Sequence, residues 1–183
     1  MTTDMERDIG KVLLTEEELR RRVQEIGKEL CDRFADKNPL FVGVLNGCFM
    51  FMADLVRATP IKSEMEFIGV SSYQDGTKSS GVVQITRDMQ RDITGCNIII
   101  VEDILDSGNT LAYLRDYLKS KGASSVTIVT LLDKPTRRTK AITADYAGFV
   151  VPDEFVVGYG LDYAQAYRNL PYIGVLKPEV YSK

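Results

Sequence analysis

At 183 residues with 44% apolar content, the chain suits one domain and can fill a sizeable core, which excludes a disordered chain or a disulfide-stapled miniprotein. Lys and Arg number 23 against 26 Asp and Glu, and a net charge of −3 leaves no general pull toward nucleic acid or anionic membrane. Histidine is absent, so a Ser-His triad, a His-ligated zinc and an imidazole base are excluded, and acid–base work falls to Asp, Glu, Lys, Tyr or Cys.

Cys31, Cys48 and Cys96 form no C-x-x-C pair, and free thiols suit a reducing compartment. The start, MTTDMERDIGK, is polar and acidic, unlike a secretory signal. No apolar run nears the roughly 20 residues that span a bilayer. The expectation is a cytoplasmic protein, partnered neither by nucleic acid nor by a membrane.

Thr15-Glu16-Glu17-Glu18 reads as a capping box, followed by Leu19, Val23, Ile26, Leu30 and Phe34 at spacings of three and four. This predicts an amphipathic helix to about Ala35, broken by Asn38-Pro39. Leu40 to Leu45 is a short apolar run, read as a strand buried on both faces. A second helix is expected from about Gly47 to Ala58, with Phe49, Met52, Leu55 and Val56 inward. Ser63 to Ser71 reads as a strand, then the polar stretch 72–81, a surface hairpin or a lid, and another strand from Val82 to Ile85.

Asn97 to Val101 is the most hydrophobic strand, and its β-branched residues suit a central parallel position. A helix carrying Leu111, Leu114 and Leu118 follows, stopped by Gly122. Strands are then expected at Val126 to Leu132, Phe155 to Tyr159 and Ile173 to Leu176. This alternation predicts an α/β fold with a mostly parallel sheet flanked by helices. The spacing reveals no linker or repeat, so residues 1–183 read as one domain.

Ligands of open α/β sheets bind beyond the carboxyl ends of the strands. There, Ser107, Gly108, Asn109 and Thr110 run into a helix start, whose free amides and positive dipole end favour a phosphate. Asp106 or Ser107 would equally serve as a plain N-cap. The adjacent pair Glu102-Asp103 adds weight, because two carboxylates can accept from vicinal sugar hydroxyls or hold Mg²⁺. A phosphate cradle beside a diol-binding acidic pair describes a ribose 5-phosphate site. Other phosphate motifs fail: there is no G-x-x-x-x-G-K-[ST], and Gly158-Tyr159-Gly160 lacks a third glycine where Tyr163 stands.

The run from Val101 to Leu111 closely resembles the phosphoribosyl pyrophosphate (PRPP) signature of type I phosphoribosyltransferases, and nearly the whole chain resembles the hypoxanthine (guanine) phosphoribosyltransferase family. The further matches are Val44 to Gly47, Leu131 to Pro135, Phe155 to Tyr163 and Tyr167 to Pro171. The resemblance implies a core over about 12–150 and a small C-terminal hood built from the N-terminal segment and about 151–180. It implies purine salvage: Mg²⁺-dependent transfer of phosphoribose from PRPP to N9 of a 6-oxopurine base, by a homo-oligomer, dimer or tetramer.

The roles it implies are as follows. Glu102 and Asp103 hold the ribose hydroxyls and Mg²⁺, and Asp106, Ser107, Gly108, Asn109 and Thr110 cradle the 5′-phosphate. Asp106 exchanges a proton with purine N7 and is the catalytic residue. Asn46, Gly47 and Arg168 contact pyrophosphate; some relatives carry lysine where Asn46 stands, and the family tends to place a non-proline cis peptide just before it. Lys134 donates to the 6-oxo oxygen, Phe155 stacks on the purine, Val156 reads its edge, and Asp162 takes a second Mg²⁺ with its backbone near the 2-position. Ser72 and Tyr73 belong to a lid. The alternative is a catalytically silent sensor of PRPP or nucleotide on the same fold.

Overall fold

The computed structural model describes residues 4–72 and 83–182. The expected lid over 72–81 lies outside them, except for the backbone of Ser72. In chain order the elements are α1 (Asp4–Arg7), β1 (Ile9–Leu14), α2 (Glu16–Phe34), β2 (Leu40–Leu45), α3 (Phe49–Ala58), β3 (Glu64–Ser72) and β4 (Val83–Arg87). Then come β5 (Asn97–Leu105), α4 (Asn109–Ser120), β6 (Ser125–Asp133), a 3₁₀ turn (Pro135–Arg137), β7 (Tyr146–Val150), β8 (Val156–Val157), β9 (Ile173–Leu176) and α5 (Pro178–Tyr181).

The capping box forms as expected. The Glu18 amide donates to Thr15 Oγ1 at 3.3 Å, and the Thr15 amide donates to Glu18 Oε2 at 2.8 Å, fixing the start of α2. Leu19, Val23, Ile26, Leu30 and Phe34 make its buried stripe.

Six strands form the main sheet in the order β4-β3-β2-β5-β6-β7, parallel except where β4 runs against β3. In β5, Ile98, Ile99, Ile100 and Val101 are wholly buried. Period-2 alternation sends Ile99 and Val101 toward α2 and α3, and Ile98 and Ile100 toward α4. Helices therefore cover both faces, which is why the strand reads as an unbroken apolar run.

A second, antiparallel sheet has the order β1-β9-β8 and brings the first strand beside the last, with Ile9 opposite Leu176 and Leu14 opposite Ile173. Val157, Tyr167, Leu170 and Leu176 form its own apolar cluster. Among the described residues no helix is long and apolar enough to cross a membrane.

Several expectations need correction. Strands β1 and β7 were not foreseen. Helix α3 starts at Phe49 rather than Gly47, and Phe49 is 38% exposed while Phe51 is buried. The strand expected over Phe155 to Tyr159 shrinks to β8, because Gly158, Tyr159 and Gly160 all take positive φ and turn the chain. Strand β5 runs past Val101 to Leu105, with consequences for the site.

Candidate active site

The acidic pair lies inside β5, not after it. Pairing with β2 ends at Gly43 opposite Val101, whereas pairing with β6 continues from Glu102 opposite Thr130 to Leu105 opposite Asp133. One edge of β5 is thus released just where the carboxylates begin. Asp103 Oδ1 accepts from the Ile104 amide at 2.8 Å, but Glu102 Oε2 is buried without a hydrogen-bond partner among the described residues. Burial, followed by the charge of Asp103, pushes the Glu102 carboxyl well above the usual range. Burial also pushes Asp103 up to about 6, against the pull of backbone amides, Glu102 and the Arg168 charge. Such carboxylates lack compensation, which hydroxyl donors or a cation would supply.

The next segment turns from β5 into α4. Its N-cap is Gly108, in the left-handed conformation (φ 85°) and without a side-chain cap. Neither Asp106 nor Ser107 takes that position, although Ser107 Oγ accepts from the Asn109 amide at 3.4 Å. A Cβ at 108 would press on Ile142 and Arg138, so only glycine suits both the backbone angle and the space. Glu102, Ile104, Asp106, Ser107, Gly108 and Thr110 line a cleft of about 190 Å³ here. Asp106 Oδ1 makes no hydrogen bond and lies 3.4 Å from Arg137 Nε, in an ion pair. Arg137 also pairs with Asp153 at 3.3 Å.

The loop after β2 approaches from the neighbouring parallel strand. The Leu45–Asn46 peptide is cis. Gly47 rests against the Asp103 carboxylate, and Gly160 rests against the Gly47 carbonyl. Arg168 Nη1 donates to the Gly160 carbonyl at 2.7 Å, and Nη2 pairs with Asp162 Oδ1 at 2.8 Å. Asn46-Gly47, Asp103, Asp162 and Arg168 therefore gather through the hood loop. Asp162 Oδ2 accepts from the Gln165 amide at 2.9 Å, so both its oxygens are engaged. Among the described residues no group of three or more His, Cys, Asp or Glu is placed to hold a metal ion. The fit to a cation rests on Glu102 and Asp103, where the orphaned Glu102 oxygen is an acceptor in need of a partner.

Lys134 follows β6 and is only 5% exposed. Its Nζ donates to the Glu154 carbonyl at 2.6 Å, its amide donates to the Leu105 carbonyl at 3.0 Å, and burial lowers its pKa. The ammonium thus ties the end of β6 to the chain entering β8. Phe155 is 39% exposed, stacked on Tyr181 with centroids 4.8 Å apart and edge-on to Tyr163 at 5.7 Å. Val156 is buried in β8 opposite Val175. A larger cavity of about 560 Å³, between α2, α3 and Tyr159, holds none of these residues.

The sequence reading missed Arg137 and Arg138. Consecutive arginines before a polar stretch look like solvated charge, and the only signal was their place three and four residues after Lys134.

The family model described as the phosphoribosyl transferase domain matches residues 11–164. A Bacillus subtilis protein named hypoxanthine-guanine phosphoribosyltransferase is 54% identical over 97% of this chain and 98% of its own. A Listeria innocua protein named bifunctional protein TilS/HprT is 56% identical over 98% of this chain, which spans only 28% of that relative's length. A solved hypoxanthine phosphoribosyltransferase from Staphylococcus aureus matches with a TM-score of 0.96 at 48% identity, with 100% of each chain covered. The family match, the identities and the shared fold agree, and the chain belongs to the phosphoribosyl transferase family, among its hypoxanthine-guanine phosphoribosyltransferases.

Proposed function

We propose that the chain transfers the 5-phosphoribosyl group of PRPP to N9 of hypoxanthine or guanine, releasing pyrophosphate and giving IMP or GMP in purine salvage. One observation carries this reading: Glu102, with its orphaned oxygen, shares a single cleft with a glycine-capped helix start, and Asp103 is its neighbour in β5. The free amides of that helix start suit a terminal phosphate, and the carboxylates suit the ribose hydroxyls.

Glu102 and Asp103 would hold Mg²⁺ together with the ribose diol, as the orphaned Glu102 oxygen and the buried Asp103 carboxylate fit such a group. Bound there, the ion would screen the charge of the departing pyrophosphate. Asn46 and Gly47 offer backbone groups to pyrophosphate and Arg168 offers a guanidinium fork, which it must partly withdraw from Asp162. Asp162 Oδ1 is then released for a second cation, while Oδ2 keeps the Gln165 amide.

Asp106, Ser107, Gly108, Asn109 and Thr110 take the 5′-phosphate. As the C1′–pyrophosphate bond breaks and the ribose gains oxocarbenium character, N9 attacks and the Asp106 carboxylate exchanges a proton with N7. Its oxygen needs no covalent role. Lys134 has ammonium hydrogens beyond the one given to Glu154, and it donates to the 6-oxo oxygen. A lysine offers no acceptor to a 6-amino group, which selects against adenine. Phe155 stacks on the purine ring and Val156 presents backbone to its edge. The lid role of Ser72 and Tyr73 rests on the sequence alone.

The same reading treats 1–183 as one unit, a core over about 12–150 with a hood from the N-terminal segment and 151–180, working in the cytoplasm as a homo-oligomer. For a related Trypanosoma cruzi enzyme, a solved structure addresses the role of the C-terminal region in oligomeric state and activity. The deciding experiment is a steady-state assay with PRPP and Mg²⁺ against hypoxanthine, guanine, xanthine, adenine and uracil. Pyrophosphate release with hypoxanthine or guanine, and none with adenine or uracil, is the expected result. Absence of turnover with every base, alongside retained PRPP binding, would instead favour a nucleotide-sensing role.

A further inference from the structure

We propose that Arg138 is a positioning residue that aims the phosphate-binding loop. The proposal rests on the reading of 106–110 as the 5′-phosphate cradle. The Arg138 side chain is 15% exposed, and its guanidinium spends its donors on backbone of two segments. Nε donates to the Asp106 carbonyl at 2.9 Å and Nη2 to the Leu105 carbonyl at 3.3 Å. Nη1 donates to the Ile142 carbonyl at 2.6 Å, and Nη2 also pairs with the Asp133 carboxylate at the end of β6. A planar fork with five fixed donors can serve four acceptors at once, as an ammonium cannot.

The neighbouring bonds extend the same pattern. The Ser107 carbonyl accepts from the Thr139 amide at 3.0 Å, the Lys140 amide at 3.2 Å and Thr139 Oγ1 at 3.2 Å. Three successive carbonyls, those of Leu105, Asp106 and Ser107, are therefore drawn to the 134–142 segment. Ile142, with the Arg138 stem beside it, crowds the place that a Cβ on Gly108 would need. With the carbonyls held on one side, the amides at the start of α4 remain for the cleft side, because the first N–H groups of a helix have no partner within it. Arg138 thus sets the direction of donors that it does not itself supply. Donors fixed before the ligand arrives cost no reorganisation on binding.

The test compares wild type, Arg138→Ala and Arg138→Lys at a temperature well below each melting point. It reads KM for PRPP, KM for hypoxanthine, kcat, and calorimetric binding of ribose 5-phosphate. The expected result for Arg138→Ala is a PRPP KM raised about tenfold or more, with matching loss of ribose 5-phosphate affinity. Its hypoxanthine KM changes less, within about threefold, since Lys134 keeps its own ties to Leu105 and Glu154 and Phe155 and Val156 stand in the hood, and Arg138→Lys falls between alanine and wild type. Folded variants with unchanged PRPP KM overturn the proposal, as does equal loss of PRPP and purine binding. Failure of both variants to fold overturns it too, by assigning Arg138 to the scaffold. A wild-type protein inactive with PRPP would strike the underlying reading instead, before any variant is compared.

Discussion

Gly47 lies against the carboxylate of Asp103, so closely that a Cβ on residue 47 would fall on Oδ2. The loop after β2 and the parallel neighbour strand β5, far apart in sequence, share that contact. Gly47→Ala must therefore displace either the loop or the carboxylate. The expected outcome is a fall in kcat/KM for PRPP of about 10²-fold, the cost of a misplacement near 1 Å. A variant with wild-type kcat/KM would show that this contact does not set the site.

Asp106 bears the proton-transfer role in the proposed reaction, and its carboxylate is not used to cap α4. Asp106→Asn keeps size and polarity but removes the base. Turnover should drop by about 10²–10⁴-fold while the PRPP KM changes little. Undiminished kcat in steady-state assay would remove Asp106 from the chemistry.

Glu102 combines a raised pKa with an oxygen that finds no donor. Its charge costs stability in the free chain and serves only when ligand is present. Glu102→Gln is expected to raise the melting temperature at neutral pH by roughly 2–4 °C, the shift that about 1 kcal/mol makes at this chain length. The same change should weaken PRPP binding. Calorimetric melting and a PRPP titration on one sample check the opposed signs; a variant that melts lower refutes the account of Glu102 as a strained ligand.

Burial holds the Lys134 ammonium below the usual lysine range, against the pull of Asp106 and Asp153. A depressed lysine means that the unfolded chain binds more protons between the folded pKa and the ordinary lysine value of 10.5. Stability then rises with pH across that window, and the cost of the buried charge is fully felt only below it. Lys134→Met should melt higher than wild type at neutral pH, with the difference shrinking above about pH 10. It should also lose discrimination against adenine. A melting difference that ignores pH would assign the effect to packing instead.

The elements with local signals were readable. Thr15 and Glu18 announce α2 because a capping box is a bond between near neighbours. The role of β5 followed from its β-branched run, but its true end did not. Acidic residues look like a strand terminus, and only continued pairing with β6 keeps Glu102 and Asp103 extended. Strand β1 was missed because its partner β9 lies at the other end of the chain. Phe49 was expected inward because it stands three residues before Met52, but Phe51, about 200° away round the helix, is the one buried beside Met52 and Leu55. Arg138 stayed hidden since its partners are mostly backbone carbonyls, which carry no residue signature.

The pairing of β1 with β9 also sets the order in which the two sheets form during synthesis. The parallel sheet can assemble as its strands emerge, whereas the small sheet waits for Ile173–Leu176 to leave the ribosome. Arg168 and Asp162, carried on the loop between β8 and β9, would reach their places at that final stage. A nascent chain could thus own a folded nucleotide cradle some time before it owns the groups that close over it, and ligand present in the cell could occupy that half-made cradle and speed the last step.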